Sequence, residues 1–301
     1  MHISRNFEKT FLRLLSPANL TYDTMGPKVS WGASASACEQ RADVVDSPLS
    51  PYFTSSTGVD ITAASIALFI CVAWLKSVDA AVYFNLLDMR LSRKMIHIGT
   101  GPIFLLTWNL FSDAPEARYF AAVVPLLVTA QFFLIGVGVI NDPQAVASMS
   151  RRGDPSELLR GPLYYGIVFV VSTVVFWRSS PLGVLALSVL CGGDGLAEVL
   201  GRKYGRVKLP WSRSKSYVGT AAMFLGSFLF GFGYLVYFNY LKNFNPELSV
   251  GSTALIVLLL SLAAAAVEAL PFQDVDNITV PLAVIILGNW LLPFGTVNCE
   301  Y

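Results

Sequence analysis

Residues 251–270 read GSTALIVLLLSLAAAAVEAL, twenty positions carrying one charge, Glu268, near the far end. A helix of that length rises about 30 Å, the thickness of a bilayer's hydrocarbon core, so the stretch is expected to cross a membrane. Outward from it, comparable apolar stretches recur near 59–78, 95–111, 119–140, 161–177, 182–200, 217–238 and 278–297, which makes eight expected spans, or seven on a stricter count. The second and fourth are short, and Asp194 and Glu198 interrupt the fifth. Composition agrees: 54% of the 301 residues are hydrophobic and 14% are charged, against about 25% charged in soluble domains. Mean hydropathy is +0.57. The expected fold class is all-α, a polytopic integral membrane helical bundle of about 7–8 transmembrane helices.

Charge placement supports that topology, because successive loops of a membrane bundle should alternate between a basic face and a poorly charged one. Lys76, Arg90, Arg93, Lys94, Arg151, Arg152, Arg160, Arg202, Lys203, Arg206, Lys208, Arg213 and Lys215 all fall on one face, and only Arg118, Arg178 and Lys242 on the other. Moving a single span would scramble this separation. In a plastid the basic face would be the stromal one. Residues 1–57 lack a long apolar run and contain Ser and Pro clusters; up to Ala37 they hold four basic residues against two acids. They are expected to be a plastid transit peptide or a disordered extension, with the membrane domain at 58–301.

Several chemistries are disfavoured. The four cysteines, Cys38, Cys71, Cys191 and Cys299, form no CxxC pair and have no histidine at metal-ligand spacing, which argues against a zinc site or a disulfide framework. With only His2 and His97, a Ser/His/Asp hydrolase has little to build on, so acid–base work falls to carboxylates. No GxxxxGK[ST] loop is present, and no nucleic-acid partner is expected.

Three clusters on the basic face could carry chemistry. Cys191-Gly192-Gly193-Asp194-Gly195-Leu196-Ala197-Glu198 sets three glycines around an acid, with Asp194 and Glu198 at i,i+4 on one helical face. Two like charges there call for a cation, and Mg2+ held by Asp194 and Glu198 is the expectation; Gly192, Gly193 and Gly195 would let backbone amides approach a phosphate. The plainer reading is that the glycines serve helix packing and the acids pair with Arg202 or Lys203. Next, Arg202 to Lys215 holds six cations in fourteen residues and no acid. Arg202, Lys203, Lys208, Arg213 and Lys215, with Ser214, Ser216 and Gly219, would clamp a triphosphate; a signal for orientation against anionic lipid is the alternative. Last, Glu268, Asp274, Asp276 and Asn277 lie at a turn returned to the same face. They would supply further metal ligands or a general base, or simply cap a helix. Lys94, His97 and Arg160 share that face as lesser candidates.

Taken in order, these motifs resemble the polyprenol kinase family, specifically the phytol and farnesol kinases of plants. The resemblance rests on Leu91-Ser92-Arg93-Lys94 through His97, Glu116 to Ala122, Glu157-Leu158-Leu159 with Gly161 to Tyr165, Cys191 to Gly195, Gly201 to Gly205, the segment from Lys208 to Gly219, and Val267 to Pro271 with Asp276-Asn277. It covers roughly residues 85 to 295. The segments Glu116–Ala122 and Cys191–Asp194 look closer to phytol kinases. Where relatives tend to have paired acids before the Asn, this chain reads Asp274-Val275-Asp276-Asn277, which leaves open the acting acid of that turn. The resemblance implies a chloroplast membrane enzyme that phosphorylates phytol released from chlorophyll, toward tocopherol, with CTP as donor. The mechanism expected is Mg2+ held by Asp194 and Glu198, joined by Asp276, while Lys208, Arg213 and Lys215 neutralise the moving phosphoryl group. Rival expectations are a farnesol or geranylgeraniol kinase, a cytidylyltransferase forming CDP-lipid, and a transporter.

Overall fold

A computed structural model describes residues 55–150, 152–241, 243, 249–271 and 275–292, without the side chains of Met89 and Arg90. The helices run α1 Ser56–Tyr83, α2 Met89–Thr107, α3 Ala117–Gly136, α4 Pro143–Met149, α5 Gly161–Val175, α6 Pro181–Ser188, α7 Asp194–Tyr204, α8 Tyr217–Tyr240, α9 Val250–Glu268 and α10 Asp276–Leu291. A π-helical turn, Val189–Gly193, joins α6 to α7 into one rod. With that rod counted once and the short α4 set aside, each expected span finds one helix among the described residues. Most of the expected extension at 1–57, and Asp274, lie outside the described residues.

Six of these segments are long and apolar enough to cross a membrane: 56–83, 117–136, 155–175, 181–204, 217–240 and 250–268. This is below the expected 7–8 for two physical reasons. α2 devotes its first half to Arg93, Lys94 and His97, and α10 is only 16 residues long. Large apolar side chains point outward along the crossing helices, among them Phe69, Leu127, Leu229 and Leu262, as helices facing lipid should present them.

Local sequence sets the helix starts. Ser55, Asp142, Ser216 and Ser249 each accept a hydrogen bond from an amide in the first turn of the helix that follows. Proline opens α4, α5 and α6, where its missing N–H is not needed. The rod α6–π–α7 sits at the centre, and every residue from Pro181 to Gly193 is buried. Around it the main apolar core is built from Phe104, Trp108, Phe169, Leu185, Leu190, Met223 and Phe238, among others, and a smaller cluster joins Ile135, Val146 and Leu158.

Hydrogen bonds mark the two ends of the bundle. At one end, Asp60 at the start of α1 accepts from Ser112 N at 2.7 Å, and Arg178 donates to the carbonyls of Trp108 and Phe111 at 2.9 and 2.8 Å. At the other end Arg93, Lys94, Arg152, Arg160, Arg202, Lys208 and Lys215 gather around one cavity, so among the described residues these basic segments share an end as expected. The segment between α7 and α8, expected as a loop, is an antiparallel hairpin of β1 Lys208–Leu209 and β2 Ser212–Ser216. Its tip is fastened to the bundle where Trp211 Nε1 donates to the Ala269 carbonyl at 2.8 Å.

Candidate active site at the basic end of the bundle

The π turn determines where Asp194 points. Within it the Asp194 N–H reaches back five residues to Val189 O, so Leu190 O, the acceptor of an unbroken α-helix, instead meets His97 Nε2 at 2.9 Å. The same imidazole nitrogen lies 3.1 Å from Asp194 Oδ2. Behind His97 stands Tyr165, its ring centroid 4.4 Å away, with its hydroxyl donating to the His97 carbonyl at 2.9 Å. α2, α5 and the central rod are thereby locked around one carboxylate.

Two further acids converge on Asp194. Glu268 closes α9 and Asp276 opens α10, and one carboxylate oxygen from each of the three residues lies within 4.8 Å of the others. Lys215, from β2, pairs with Glu268 and donates to Asp276 Oδ2 at 2.9 Å. Burial alone would lower the Lys215 pKa, but the charges of Glu268 and Asp276 more than offset it and hold the pKa above its ordinary 10.5. Glu268 is only 6% exposed, and its Oε2 has no hydrogen-bond partner among the described residues. An unsatisfied, buried carboxylate oxygen next to two other acids is well suited to a hard divalent cation.

Glu198 lies elsewhere in the charge network. Its carboxylate receives Arg93 Nη2 at 2.9 Å and Arg202 Nη2 at 3.0 Å, and also pairs with Lys94. The expected Asp194/Glu198 metal pair is therefore not the cluster the fold assembles: the helix places both acids on one face, but three cations already neutralise Glu198. Sequence spacing favoured Glu198 because it is four residues away, whereas Glu268 reaches Asp194 only through packing. The return of the Glu268–Asn277 turn to the basic face was the available signal for it.

The glycines also differ from expectation. A Cβ at Gly192 would collide with Phe230, at Gly193 with Ser227 and Met223, and at Gly195 with Ile98. All three serve close packing against α8 and α2, not the approach of backbone amides to a phosphate. The Gly219 amide, also expected to face phosphate, is occupied by Ser216 Oγ at 3.1 Å, the cap of α8.

A cavity of about 620 Å³ opens on this cluster. Its wall includes the expected Lys94, His97, Arg160, Asp194, Glu198, Arg202, Lys208, Ser214, Lys215, Ser216, Gly219, Glu268, Asp276 and Asn277. Lys203 and Arg213 are not part of it: the Lys203 ammonium lies over the Tyr204 ring at 5.2 Å, and Arg213 is exposed on the hairpin. Asn277 is held by donating to the Gly161 carbonyl at 3.2 Å. Arg93 and Tyr165 stand in the motifs quoted above, but nothing in their spacing showed their contacts: Arg93 pairs with Glu198, and Tyr165 holds the His97 carbonyl. Seven Lys or Arg side chains and six carboxylates share this wall, so its charge nearly cancels. The deeper wall, formed by Cys71, Phe104, Val124 and Phe169, is apolar.

No protein-family profile matches the chain, nor does any solved structure. Plant proteins do. The chain is 43% identical over 243 residues to "Probable phytol kinase 1, chloroplastic" of Oryza sativa subsp. japonica, covering 79% of this chain and 74% of that one. It is 44% identical over 208 residues to "Probable phytol kinase, chloroplastic" of Zea mays, covering 68% and 67%. With "Phytol kinase 1, chloroplastic" of Arabidopsis thaliana it shares 35% identity over 294 residues, covering 96% and 94%.

Proposed function

The chain belongs to the plant phytol kinase family, a multi-pass membrane protein of the chloroplast, and on that premise we propose that it phosphorylates free phytol with the terminal phosphoryl group of CTP. The product, phytyl phosphate, would return chlorophyll-derived phytol to tocopherol synthesis. What carries this reading is that Asp194, Glu268, Asp276 and Lys215 converge at the junction of the polar and apolar walls of one cavity. An amphiphilic alcohol and a triphosphate can meet at such a junction.

Phosphoryl transfer depends mainly on positioning and on stabilising charge. The cavity wall is close to neutral, so the charge of a triphosphate calls for an added cation, and Mg2+ bound by Glu268 and Asp276 would neutralise its phosphate oxygens. Two carboxylates with phosphate and water oxygens are the usual surroundings of that ion. Lys215 lies beside both acids and would meet the transferring phosphoryl group, with Lys208 and Arg202 along the same wall. Asp194, steadied at Oδ2 by His97, takes the proton from the phytol hydroxyl. The phytol oxygen forms its bond to the terminal phosphorus as the bond from that phosphorus to the bridging oxygen breaks, releasing the nucleoside diphosphate.

The test is a phosphorylation assay on membranes containing the chain, with phytol, farnesol or geranylgeraniol, labelled CTP or ATP, and magnesium. Phytyl phosphate with CDP is the expected pair of products. Release of pyrophosphate would identify a cytidylyltransferase instead, and farnesyl phosphate alone would change the substrate.

A further inference from the structure

The apolar wall of the cavity is a defined tube below the acid cluster. α2 enters from the basic end, so His97 lies at the top and Phe104 seven residues deeper, about 10 Å down the helix axis. α5 runs the same way, from Tyr165 beside His97 to Phe169 one turn below. α1 and α3 run oppositely and bring Leu75 and Val128 to the upper wall and Cys71 and Val124 to the lower. At the bottom the Phe104 ring stands 5.9 Å from Phe169 and 6.1 Å from Trp108, and all three are buried in the core. The tube therefore has a polar mouth at Asp194 and an aromatic floor at Phe104.

We infer that this tube is the tail subsite for the isoprenoid chain, and that Phe104 with Val128 sets how much chain fits beneath the reacting hydroxyl. The inference rests on the proposed kinase reading, since the position of the hydroxyl at Asp194 fixes which end of the alcohol points down. An aliphatic tail finds mainly apolar side chains from four helices there, with the Thr100 and Thr129 hydroxyls turned to their own helix carbonyls, while its hydroxyl meets the acid cluster. A buried aromatic floor cannot yield by small shifts, because the packed core behind it has no space to receive it. Removing or adding a methylene-sized volume in such a pocket changes discrimination by roughly tenfold or more.

Two readouts test this. Val128→Phe fills the half-buried upper wall and should raise the kcat/KM ratio of farnesol over phytol by about tenfold or more; Phe104→Ala should move the ratio the other way. Because Phe104 also packs on Trp108, Val128→Phe carries the kinetic test alone if the floor variant fails to accumulate. Independently of turnover, Cys71 is a free thiol in the lower wall, so phytol should slow its alkylation by a membrane-permeant maleimide several-fold, read by peptide mass spectrometry. Unchanged alcohol ratios in active Val128→Phe, or Cys71 labelling indifferent to phytol, would overturn the tail subsite and leave the kinase reading in place. Cys71 protection by phytol in a protein that makes no lipid phosphate would support the subsite and overturn the kinase reading.

Discussion

His97 and Asp194 are joined through one imidazole nitrogen, which lies 3.1 Å from Asp194 Oδ2 and 2.9 Å from the Leu190 carbonyl. Both neighbours only accept hydrogen bonds, so the proton must reside on Nε2, which fixes the tautomer. A central helix interrupted by a π turn and a histidine from α2 together aim one carboxylate at the junction of the polar and apolar walls of the cavity.

Asp194→Asn keeps the shape of that side chain and removes its basicity. Phytyl phosphate formation should fall by about 10²–10⁴-fold, the range for loss of a general base, while the protein still accumulates in membranes. Near-normal turnover would remove Asp194 from the chemistry.

Glu268→Gln and Glu198→Gln should separate the two acidic networks. Loss of Glu268 should raise the magnesium concentration needed for half-maximal activity; chelation by EDTA should abolish wild-type activity, and added magnesium should restore it. Glu198→Gln should leave the magnesium titration in place and lower the melting temperature in detergent, because Arg93, Lys94 and Arg202 lose a shared partner. Breaking such a partly buried network costs up to about 3–5 kcal/mol. The reverse pattern would return the metal to Glu198.

The Lys215 pKa is raised above 10.5. A raised folded value means that its ion pairs contribute fully below the unfolded value and are lost only as pH climbs through the higher folded one. Lys215→Met should therefore depress activity by a constant factor from about pH 6 to about pH 9.5. An alkaline limb within that range that disappears in Lys215→Met would contradict the assignment.

Gly193→Ala should destabilise the bundle by about 1–3 kcal/mol, since a Cβ there runs into Ser227 and Met223 of α8. Gly233→Ala, where a Cβ meets nothing within 4 Å, is the control and should be neutral or gain up to about 1 kcal/mol of helix propensity. Thermal melts of the purified protein decide between them.

The helices were legible in the sequence because bilayer thickness imposes a length that composition alone reveals, and alternating charge oriented them. Asp194, Lys215 and Asp276 were legible because ionised groups beside apolar runs are costly and stand out. The partnership of Glu268 with Asp194 was not, since contacts between distant spans leave no periodic trace. Nor was the π turn: an extra residue in a helix changes one acceptor without altering hydropathy. The hairpin was missed because KLPWSRSKS has too few apolar alternations to read as strands.

The three clustered carboxylates come from α7, α9 and α10, and the hairpin that carries Lys215 is fastened to the end of α9 through Trp211. A growing chain that has delivered only α8 to the membrane holds Asp194 and Lys215 but neither Glu268 nor Asp276. The three-acid cluster thus exists only after α9 and α10 have packed against the central rod, and until then Asp194 and Lys215 lack the two acids they meet in the finished bundle.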